Sequence, residues 1–289
     1  MLFAQYTGRL DKRFGIEKSV NMLADAGFPA VDITLQTEHV TPTFCNEWRG
    51  LADRLLGIAK ERGIVYIQSH APVGRWDHYI ENVIPMLPTY FEFVAALGIP
   101  NIVVHPIMHG AYYFDREKMF LENIDFYKSI APAAKKCGVK IAIENMWDRH
   151  RITKRIVDCV GADPNELVRM YETLNDPDAF TICLDIGHVA LCGREPEDAV
   201  NIIGGERLGC IHAHDNDYIE DMHMLPGFSK INFDNVCRAL GEIDYKGCFT
   251  LEAGGTYENF EDEQIPTVLK FMADTTRYLT EKVDSYRIK

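Results

Sequence analysis

Six stretches of the sequence place a histidine, an aspartate or a glutamate at the end of a short apolar run. Imidazole nitrogens and carboxylate oxygens are the donors that bind Mn²⁺, Zn²⁺, Mg²⁺ and Co²⁺. One such residue alone is more often a hydrogen-bonded structural group or a helix cap, but several buried carboxylates close together need a compensating cation. The series therefore predicts a divalent-metal site built from Ser69-His70, Val104-His105-Pro106, Glu144-Asn145, Leu184-Asp185-Ile186-Gly187-His188, His212-Ala213-His214-Asp215 and Leu251-Glu252-Ala253.

A further pair of candidate ligands, Asp221 and His223, lies in the segment 217–230. In an extended backbone, residues two apart point to the same side, so both side chains can reach one ion. The alternative is a solvated acidic loop that binds nothing.

Short apolar runs alternate with segments of helical periodicity along the chain, which is the pattern of βα units. Glycines follow several of the helical segments, as in Arg62-Gly63 and Cys137-Gly138, and indicate where each helix ends. The predicted strands are 2–6, 30–35, 64–68, 101–104, 140–143, 180–184, 208–212 and 248–251. The predicted helices are 16–26, 48–61, 79–97, 120–137, 164–174, 196–203, 233–240 and 265–279.

Eight strands with intervening helices favour a single (β/α)8 TIM-barrel domain over residues 1–289. In such a barrel the C-terminal ends of all strands meet on one face, so the candidate ligands would converge there. The alternative is an open doubly wound sheet, which normally carries a glycine-rich phosphate turn after its first strand. Here the first strand is followed by Tyr6-Thr7-Gly8-Arg9-Leu10, which lacks that turn.

Composition narrows the class of protein. Hydrophobic residues make up 47% and charged residues 25%, which is typical of a folded chain with a sizeable core. The net charge of −13 disfavours duplex DNA as a partner. No apolar stretch approaches the roughly 18 residues of a membrane span, and the first apolar run is too short for a signal peptide. The eight cysteines include no C-x-x-C pair and are typical of buried thiols in a reducing compartment, so we expect a cytoplasmic protein.

The stretches Ile143-Glu144-Asn145, Leu184-Asp185-Ile186-Gly187-His188, Ile211-His212-Ala213-His214-Asp215 and Leu251-Glu252 resemble the xylose isomerase-like TIM-barrel superfamily. That superfamily includes sugar phosphate isomerases and epimerases, ketose 3-epimerases and endonuclease IV. The resemblance covers nearly the whole chain. It implies a shared metal site formed by Glu144, Asp185, His212 and Glu252, with His188 near the substrate. Its endonuclease branch implies a three-metal cluster with the additional ligands His70, His105, His188, Asp221 and His223.

Two enzymatic functions follow from this resemblance. The first is a metal-dependent isomerase or epimerase of a sugar, sugar phosphate or polyol, working through a metal-stabilised enediolate. Glu144 and Glu252 would act as acid and base, and His188 would hydrogen-bond a substrate oxygen. The alternative is a phosphoester hydrolase with two or three metal ions. A third class, a catalytically silent sugar-binding protein, would leave the full ligand set unexplained.

The expected partner is a small sugar or sugar derivative. Nucleic acid is not expected, because the loops after the early strands lack clusters of arginine and lysine. Ketose epimerases usually place an arginine shortly after the histidine of the seventh strand, and the stretch Asp215-Asn216-Asp217-Tyr218 has none. The sugar therefore stays unassigned, and assembly into a homo-oligomer stays open.

A basic segment follows Glu144 and contains Arg149-His150-Arg151 and Lys154-Arg155. Because it leaves a strand end, we expect it beside the mouth of the active site. Arg149 and Arg151 are predicted to receive an anionic group of the substrate, with Trp147 packing on the sugar face. The alternative is a solvated loop with surface ion pairs. The remaining predicted substrate contact is His214.

The predicted cofactor is Mn²⁺ or Zn²⁺, with Mg²⁺ or Co²⁺ as alternatives. Firm binding takes about three or more protein ligands. The four shared ligands complete one site, so the five additional candidates favour one or two more ions. The alternative is that these histidines hydrogen-bond a sugar, while Asp221 and His223 order a lid over it.

Overall fold

Eight parallel strands form one sheet within the residues that the computed structural model describes, which are 1–35, 41–73, 79–109 and 112–287. Two more strands pair with each other as an antiparallel hairpin. In chain order the strands are β1 (Phe3–Tyr6), β2 (Ala30–Thr34), β3 (Val65–His70), β4 (Asn101–Val104), β5 (Lys140–Glu144), β6 (Trp147–Arg149), β7 (Ile156–Asp158), β8 (Phe180–Asp185), β9 (Leu208–His212) and β10 (Phe249–Leu251). The order in the large sheet is β10-β1-β2-β3-β4-β5-β8-β9, and β6 and β7 form the hairpin.

The sheet closes into a barrel where β9 meets β10. Ala213 forms a parallel bridge with Leu251. The Ala213 N–H donates to the Thr250 carbonyl at 2.8 Å, and the Ala213 carbonyl accepts from the Glu252 N–H at 3.1 Å. Since β10 also pairs with β1, the sheet returns on itself. The fold is an α/β TIM barrel, which confirms the predicted architecture.

Ten α-helices are described in these residues: α1 (Gly8–Phe14), α2 (Ile16–Ala26), α3 (Pro42–Arg62), α4 (Leu87–Ala96), α5 (Arg116–Cys137), α6 (Pro164–Leu174), α7 (Ile186–Leu191), α8 (Pro196–Ile203), α9 (Phe233–Glu242) and α10 (Ile265–Ser285). The bounds of α2, α6 and α8 confirm the predicted ones. Helix α3 begins earlier than predicted because Thr41 caps it, with its side chain accepting the Phe44 N–H at 3.1 Å.

The single predicted helix 79–97 is wrong. The structure has a π-helical turn over Tyr79–Val83, a 3₁₀ turn over Ile84–Met86 and then α4. Pro85 and Pro88 explain the interruption, because a proline lacks the N–H that a continuous helical ladder requires.

Three elements beside the barrel mouth were not predicted: α1, α7 and the β6–β7 hairpin. Helix α7 follows β8 directly, because the Asp185 side chain ends the strand and accepts the His188 N–H at 2.6 Å as a helix cap. The hairpin occupies the predicted basic loop. Asp158 on β7 anchors it through two hydrogen bonds from Arg194, at 2.8 and 2.9 Å.

Apolar side chains pack the helices against the outside of the barrel and fill part of its interior. Small interior residues, including Val103, Ala142, Cys183 and Cys210, form one buried cluster inside the sheet. The eight cysteines are unpaired and five of them are buried. Across the described residues, no helix combines the length and apolar character needed to cross a bilayer.

Candidate metal centre

The C-terminal end of the barrel opens into a cavity of about 660 Å³. Asp185 and His212 are buried beside it. Seven of the nine predicted metal ligands line its wall: His70, His105, Glu144, His188, Asp221, His223 and Glu252. The strand ends have thus brought residues distant in sequence to one place, as a parallel barrel requires.

Glu144, Asp185, His212 and Glu252 form what we call the central group. Each offers one donor atom, and these four atoms lie within 4.8 Å of one another. His212 Nδ1 is 2.7 Å from Glu144 Oε1 and 3.3 Å from Glu252 Oε2. The ligands of a tetrahedral zinc ion at about 2.1 Å lie roughly 3.4 Å from one another. The spacing of the central group therefore fits a divalent ion.

The buried charges of the central group also fit a site for a divalent ion. Burial opposes ionisation of Glu144, yet His212, His105 and His70 hold the pKa of its carboxyl well below the usual value. Burial likewise disfavours charge on His212, but Glu144 and Glu252 raise its pKa well above the usual value. In the metal-free protein the histidine and carboxylate charges compensate one another, and a divalent ion would take over that compensation as the histidine loses its proton. Asp185 Oδ2 is buried without a hydrogen-bond partner among the described residues, which is the arrangement expected of a carboxylate oxygen that binds a cation.

His70 and His105 form a second set of donors, the histidine pair, next to Glu144. His105 Nε2 is 2.9 Å and His70 Nε2 3.4 Å from Glu144 Oε2, and the two Nε2 atoms are 3.0 Å apart. His70 Nδ1 lies 2.7 Å from the Ala71 carbonyl. The carbonyl accepts a hydrogen bond from Nδ1–H and leaves the lone pair of Nε2 available as a ligand, which is the usual orientation of a metal-binding histidine. Burial lowers the pKa of His105, which favours the neutral, metal-binding form.

Asp221, His223 and His188 form a third set, the loop group. Asp221 Oδ2 is 3.1 Å from His223 Nε2 and 4.0 Å from His188 Nε2. The Nδ1 atoms of both histidines lie near backbone carbonyls, His223 at 2.8 Å from Glu252 and His188 at 2.9 Å from Asn145. Both Nε2 atoms therefore face Asp221. Although burial lowers the pKa of His223, hydrogen bonding to Asp221 and the charge of Glu252 raise it to about 10.

The reason for the convergence of Asp221 and His223 differs from the predicted one. The backbone is not extended at His223, whose φ of 49° lies in the left-handed region. The turn is held by Asp215, whose backbone pairs with Met224 through hydrogen bonds of 2.7 and 3.1 Å. The buried Asp215 carboxylate also accepts the N–H groups of Gly227, Ser229 and Ile231 at 3.0, 2.8 and 3.0 Å. Asp215 is thus a structural anchor of this loop.

The predicted substrate contacts divide into two classes. Trp147 and Arg149 line the cavity; the Trp147 ring lies 6.3 Å from that of His188, and Arg149 lies over Trp147 and pairs with Glu220 at 2.5 Å. Arg151 is exposed and is not among the residues that line this cavity. Its guanidinium donates to the His109 carbonyl at 3.3 Å.

His214 lies away from the cavity wall. The side chain is fully buried and lies 3.1 Å from Asp185. Its donor atoms also lie within 4.8 Å of those of Asp185 and His188 and of those of Asp221 and His223, so His214 is a further candidate ligand, and its predicted contact with a substrate stays a prediction.

Several residues near the site were not predicted from the sequence, and four of them are polar or charged side chains of β1, α1 and β2. Tyr6, Arg9 and Lys12 line the cavity. Their only sequence signal was their place at the end of the first strand or shortly after it. Asp32 on β2 is buried beside His212, with Oδ2 at 3.8 Å from His212 Nε2 and accepting from Gln68 at 2.8 Å. Burial raises the pKa of Asp32 to about 6.

Known proteins resemble the chain in sequence and in structure. The family model for xylose isomerase-like TIM barrels matches residues 20–275. An uncharacterized protein of Methanocaldococcus jannaschii is 26% identical over 263 residues, covering 84% of each chain. A probable endonuclease 4 of Staphylococcus saprophyticus is 29% identical over 196 residues, covering 61% of this chain and 62% of that protein. A crystal structure of a D-tagatose 3-epimerase-like protein superposes with a TM-score of 0.76 at 20% identity over 99% of both chains, which shows a shared fold.

Proposed function

The chain belongs to the family of xylose isomerase-like TIM barrels, and on that premise we propose that it is a divalent-metal-dependent isomerase or epimerase of a sugar or sugar derivative. The observation that carries the proposal is the pair of glutamates, Glu144 and Glu252, which both line the cavity and both approach His212. Isomerisation or epimerisation next to a carbonyl needs one group that removes a proton and one that returns it.

The central group would hold the ion. Its buried carboxylates, its imidazole and the unpartnered Asp185 Oδ2 form a donor set suited to Mn²⁺ or Zn²⁺. When bound, the ion supplies Lewis-acid polarisation of a substrate carbonyl. The histidine pair and the loop group offer donors for one or two additional ions.

The protein's own residues would carry the proton transfers. Glu252 is partly accessible, with 16% of its side chain exposed, and can take a proton from substrate in the cavity. Glu144 is 1% exposed but also faces the cavity, so it can exchange a proton from another direction. His188 Nδ1 is engaged by the Asn145 carbonyl, which leaves Nε2 to accept a hydrogen bond from a substrate hydroxyl when the loop group holds no ion. We propose that these three residues are the catalytic residues.

The cavity rim favours a substrate with an anionic group. Arg9, Lys12 and Arg149 line the cavity, although Arg9 and Arg149 are already paired with Glu258 and Glu220. A phosphate or carboxylate on the substrate would compete for these cations. Trp147 lies beside Arg149, where it can pack on the apolar face of a sugar ring.

Solvent isotope exchange tests the proton-transfer roles. Metal-loaded protein is incubated in D₂O with a panel of ketoses and ketose phosphates, and deuterium uptake at carbon is followed by NMR. We expect Glu144→Gln and Glu252→Gln each to abolish uptake, because an amide cannot accept the proton. The matched control is Glu117→Gln, an exposed carboxylate paired with Arg169 far from the cavity. Uptake retained in both site variants would refute the assigned acid and base.

A second candidate function is a phosphoester hydrolase with several metal ions. The specific observation in its favour is that further donors adjoin the central group: His105 Nε2 lies 2.9 Å from Glu144 Oε2, and His214, Asp221 and His223 form a separate candidate group. Multinuclear sites of this kind activate water and clamp phosphate oxygens. Abasic-site oligonucleotides and aryl phosphates should therefore be assayed in parallel with the ketoses. Turnover of the phosphoesters alone would select the hydrolase and reject the isomerase.

A further inference from the structure

His214 lies between the central group and the loop group and contacts both. Its Nε2 is 3.1 Å from Asp185 Oδ1 and 3.8 Å from Asp221 Oδ1. Its ring stacks on that of His223 with centroids 4.2 Å apart and planes 11° from parallel. The side chain is fully buried and belongs neither to the central group nor to the catalytic residues proposed above.

The surroundings of the His214 ring determine which nitrogen carries the proton. Nδ1 is buried and has no hydrogen-bond partner among the described residues. A proton on Nδ1 would leave a buried donor unsatisfied and would also turn the lone pair of Nε2 toward two carboxylate oxygens. The favourable form therefore carries the proton on Nε2, which donates to Asp185.

This hydrogen bond decides which oxygen of Asp185 is left for an ion. Asp185 Oδ1 accepts from His214 Nε2 at 3.1 Å and from the His188 N–H at 2.6 Å. Asp185 Oδ2 accepts no hydrogen bond from the part of the chain that the structure describes, and it lies 3.9 Å from His212 Nδ1, within the central group. Because Oδ1 is occupied by two donors, Oδ2 is the oxygen that is presented to the central group.

The second contact of His214, the stacking of its ring on that of His223, supports the loop group. The His223 backbone has a φ of 49°, and its ring is held at its two nitrogens by the Glu252 carbonyl and the Asp221 carboxylate. The flat stack on His214 removes the remaining freedom of the ring to tilt away from Asp221. The space for His214 depends in turn on Gly187, because a Cβ on Gly187 would lie 1.9 Å from the His214 ring.

We propose that His214 is a positioning residue that couples the central group to the loop group, so that metal binding at both depends on one buried imidazole. The inference rests on the proposed function, in which both groups bind divalent ions. A purely structural histidine would affect the folding stability of the metal-free protein but not the metal affinities of a folded variant. A coupling residue changes the affinity at both groups together.

Titration of the metal-free full-length protein with Mn²⁺ by calorimetry tests this coupling. In the unaltered protein we expect at least two equivalents to bind. His214→Ala should weaken the first and the second equivalent by about 10- to 100-fold each, which is the usual effect of losing a residue that orients metal ligands. His214→Gln should restore the first, because its amide can donate to Asp185, but not the second, because it offers no ring to stack on His223.

Two further variants complete the design. Gly187→Ala should reproduce the His214→Ala result although His214 and His223 are both still present, because the added methyl group displaces the His214 ring. His150→Ala, which removes a histidine from the hairpin turn outside all three groups, should leave the Mn²⁺ affinities unchanged. Circular dichroism of the metal-free proteins identifies any variant that fails to fold, and the comparison then rests on the others.

The failures are distinguishable. If the unaltered protein binds no Mn²⁺ and no Zn²⁺, the metal premise of the proposed function falls, and this inference falls with it. If the unaltered protein binds two equivalents and folded His214→Gln and Gly187→Ala bind them with unchanged affinity, this inference alone is overturned. Weakening of only one equivalent in Gly187→Ala would also overturn the coupling.

Discussion

Replacing Asp215 by alanine should loosen the segment that carries Asp221 and His223 while leaving the barrel intact. The buried carboxylate accepts three backbone N–H groups, from Gly227, Ser229 and Ile231, at 2.8 to 3.0 Å. Hydrogen bonds to a charged group contribute about 1.5–3 kcal/mol each. Restored hydration of the freed amides and relief of the buried charge offset part of that sum, so we expect a loss of about 3–5 kcal/mol in the free energy of unfolding.

Urea unfolding in the presence of a chelator measures that loss, and hydrogen exchange locates it. The amides of Gly227, Ser229 and Ile231 should lose protection in Asp215→Ala, whereas those of β4 and β5 should exchange as before. Asp217→Ala is the matched control, because its exposed carboxylate also accepts two loop N–H groups, at 3.0 and 2.9 Å. Its effect should stay within about 1 kcal/mol, as for other surface changes. Equal losses in the two variants, or a loss below about 1 kcal/mol in Asp215→Ala, would refute the reasoning.

Three other outcomes are expected from the charges around the cavity. In the metal-free protein the pKa of His223 is raised to about 10. The protonated His223 side chain therefore stabilises the folded state fully below the pKa of an unfolded histidine, about 6.5, and this stabilisation is lost as the pH rises toward 10. Melting temperatures measured in chelator should fall across that interval, and should fall less in His223→Gln. Binding of Zn²⁺ at pH 7 should release protons, because a histidine must be neutral to bind a metal; calorimetry in buffers of different ionisation enthalpy counts them, and a release of none contradicts the histidine ligands. Arg149→Ala should raise KM for an anionic substrate more than Arg151→Ala, because only Arg149 lines the cavity; steady-state kinetics with equal KM changes would reject the assigned anion site.

The barrel and most of the candidate ligands were predictable because both depend on local patterns. A buried parallel strand is a short apolar run, and its first polar residue marks the open end of the barrel. Glu144, Asp185 and His212 stand at those points in the sequence, and in the structure each is the last residue of its strand. Convergence then follows from topology alone, without knowledge of any side-chain contact.

The elements that the sequence did not reveal are short. Helix α1 has seven residues and α7 six, which is too few for a clear helical period. The hairpin strands have three residues each. Arg9 and Lys12 were missed for the same reason, since their approach to the cavity depends on α1. Such segments take their structure from the barrel beneath them.

The position of His214 relative to the cavity could not be predicted from the sequence either. His212 and His214 stand two residues apart, and a continued strand would point both to the same side. However, pairing with β8 ends at His212, and Ala213 pairs with Leu251 of β10 instead. His214 packs against Gly187 and the ring of His223, contacts that the sequence alone does not show, and its role as a substrate contact stays a prediction.

The closure of the barrel between β9 and β10 bears on how the protein is made. β10 is the last strand in the described residues, and it pairs with β1 and meets β9 only through Ala213. A nascent chain whose β10 is still inside the ribosome has two unpaired sheet edges, β1 and β9. Unpaired edges are templates for pairing with other nascent chains. The same unfinished chain lacks Glu252. Completion of the central group and pairing of the two edges therefore occur together, and a chain that stalls before β10 is made would both lack Glu252 and be prone to aggregation.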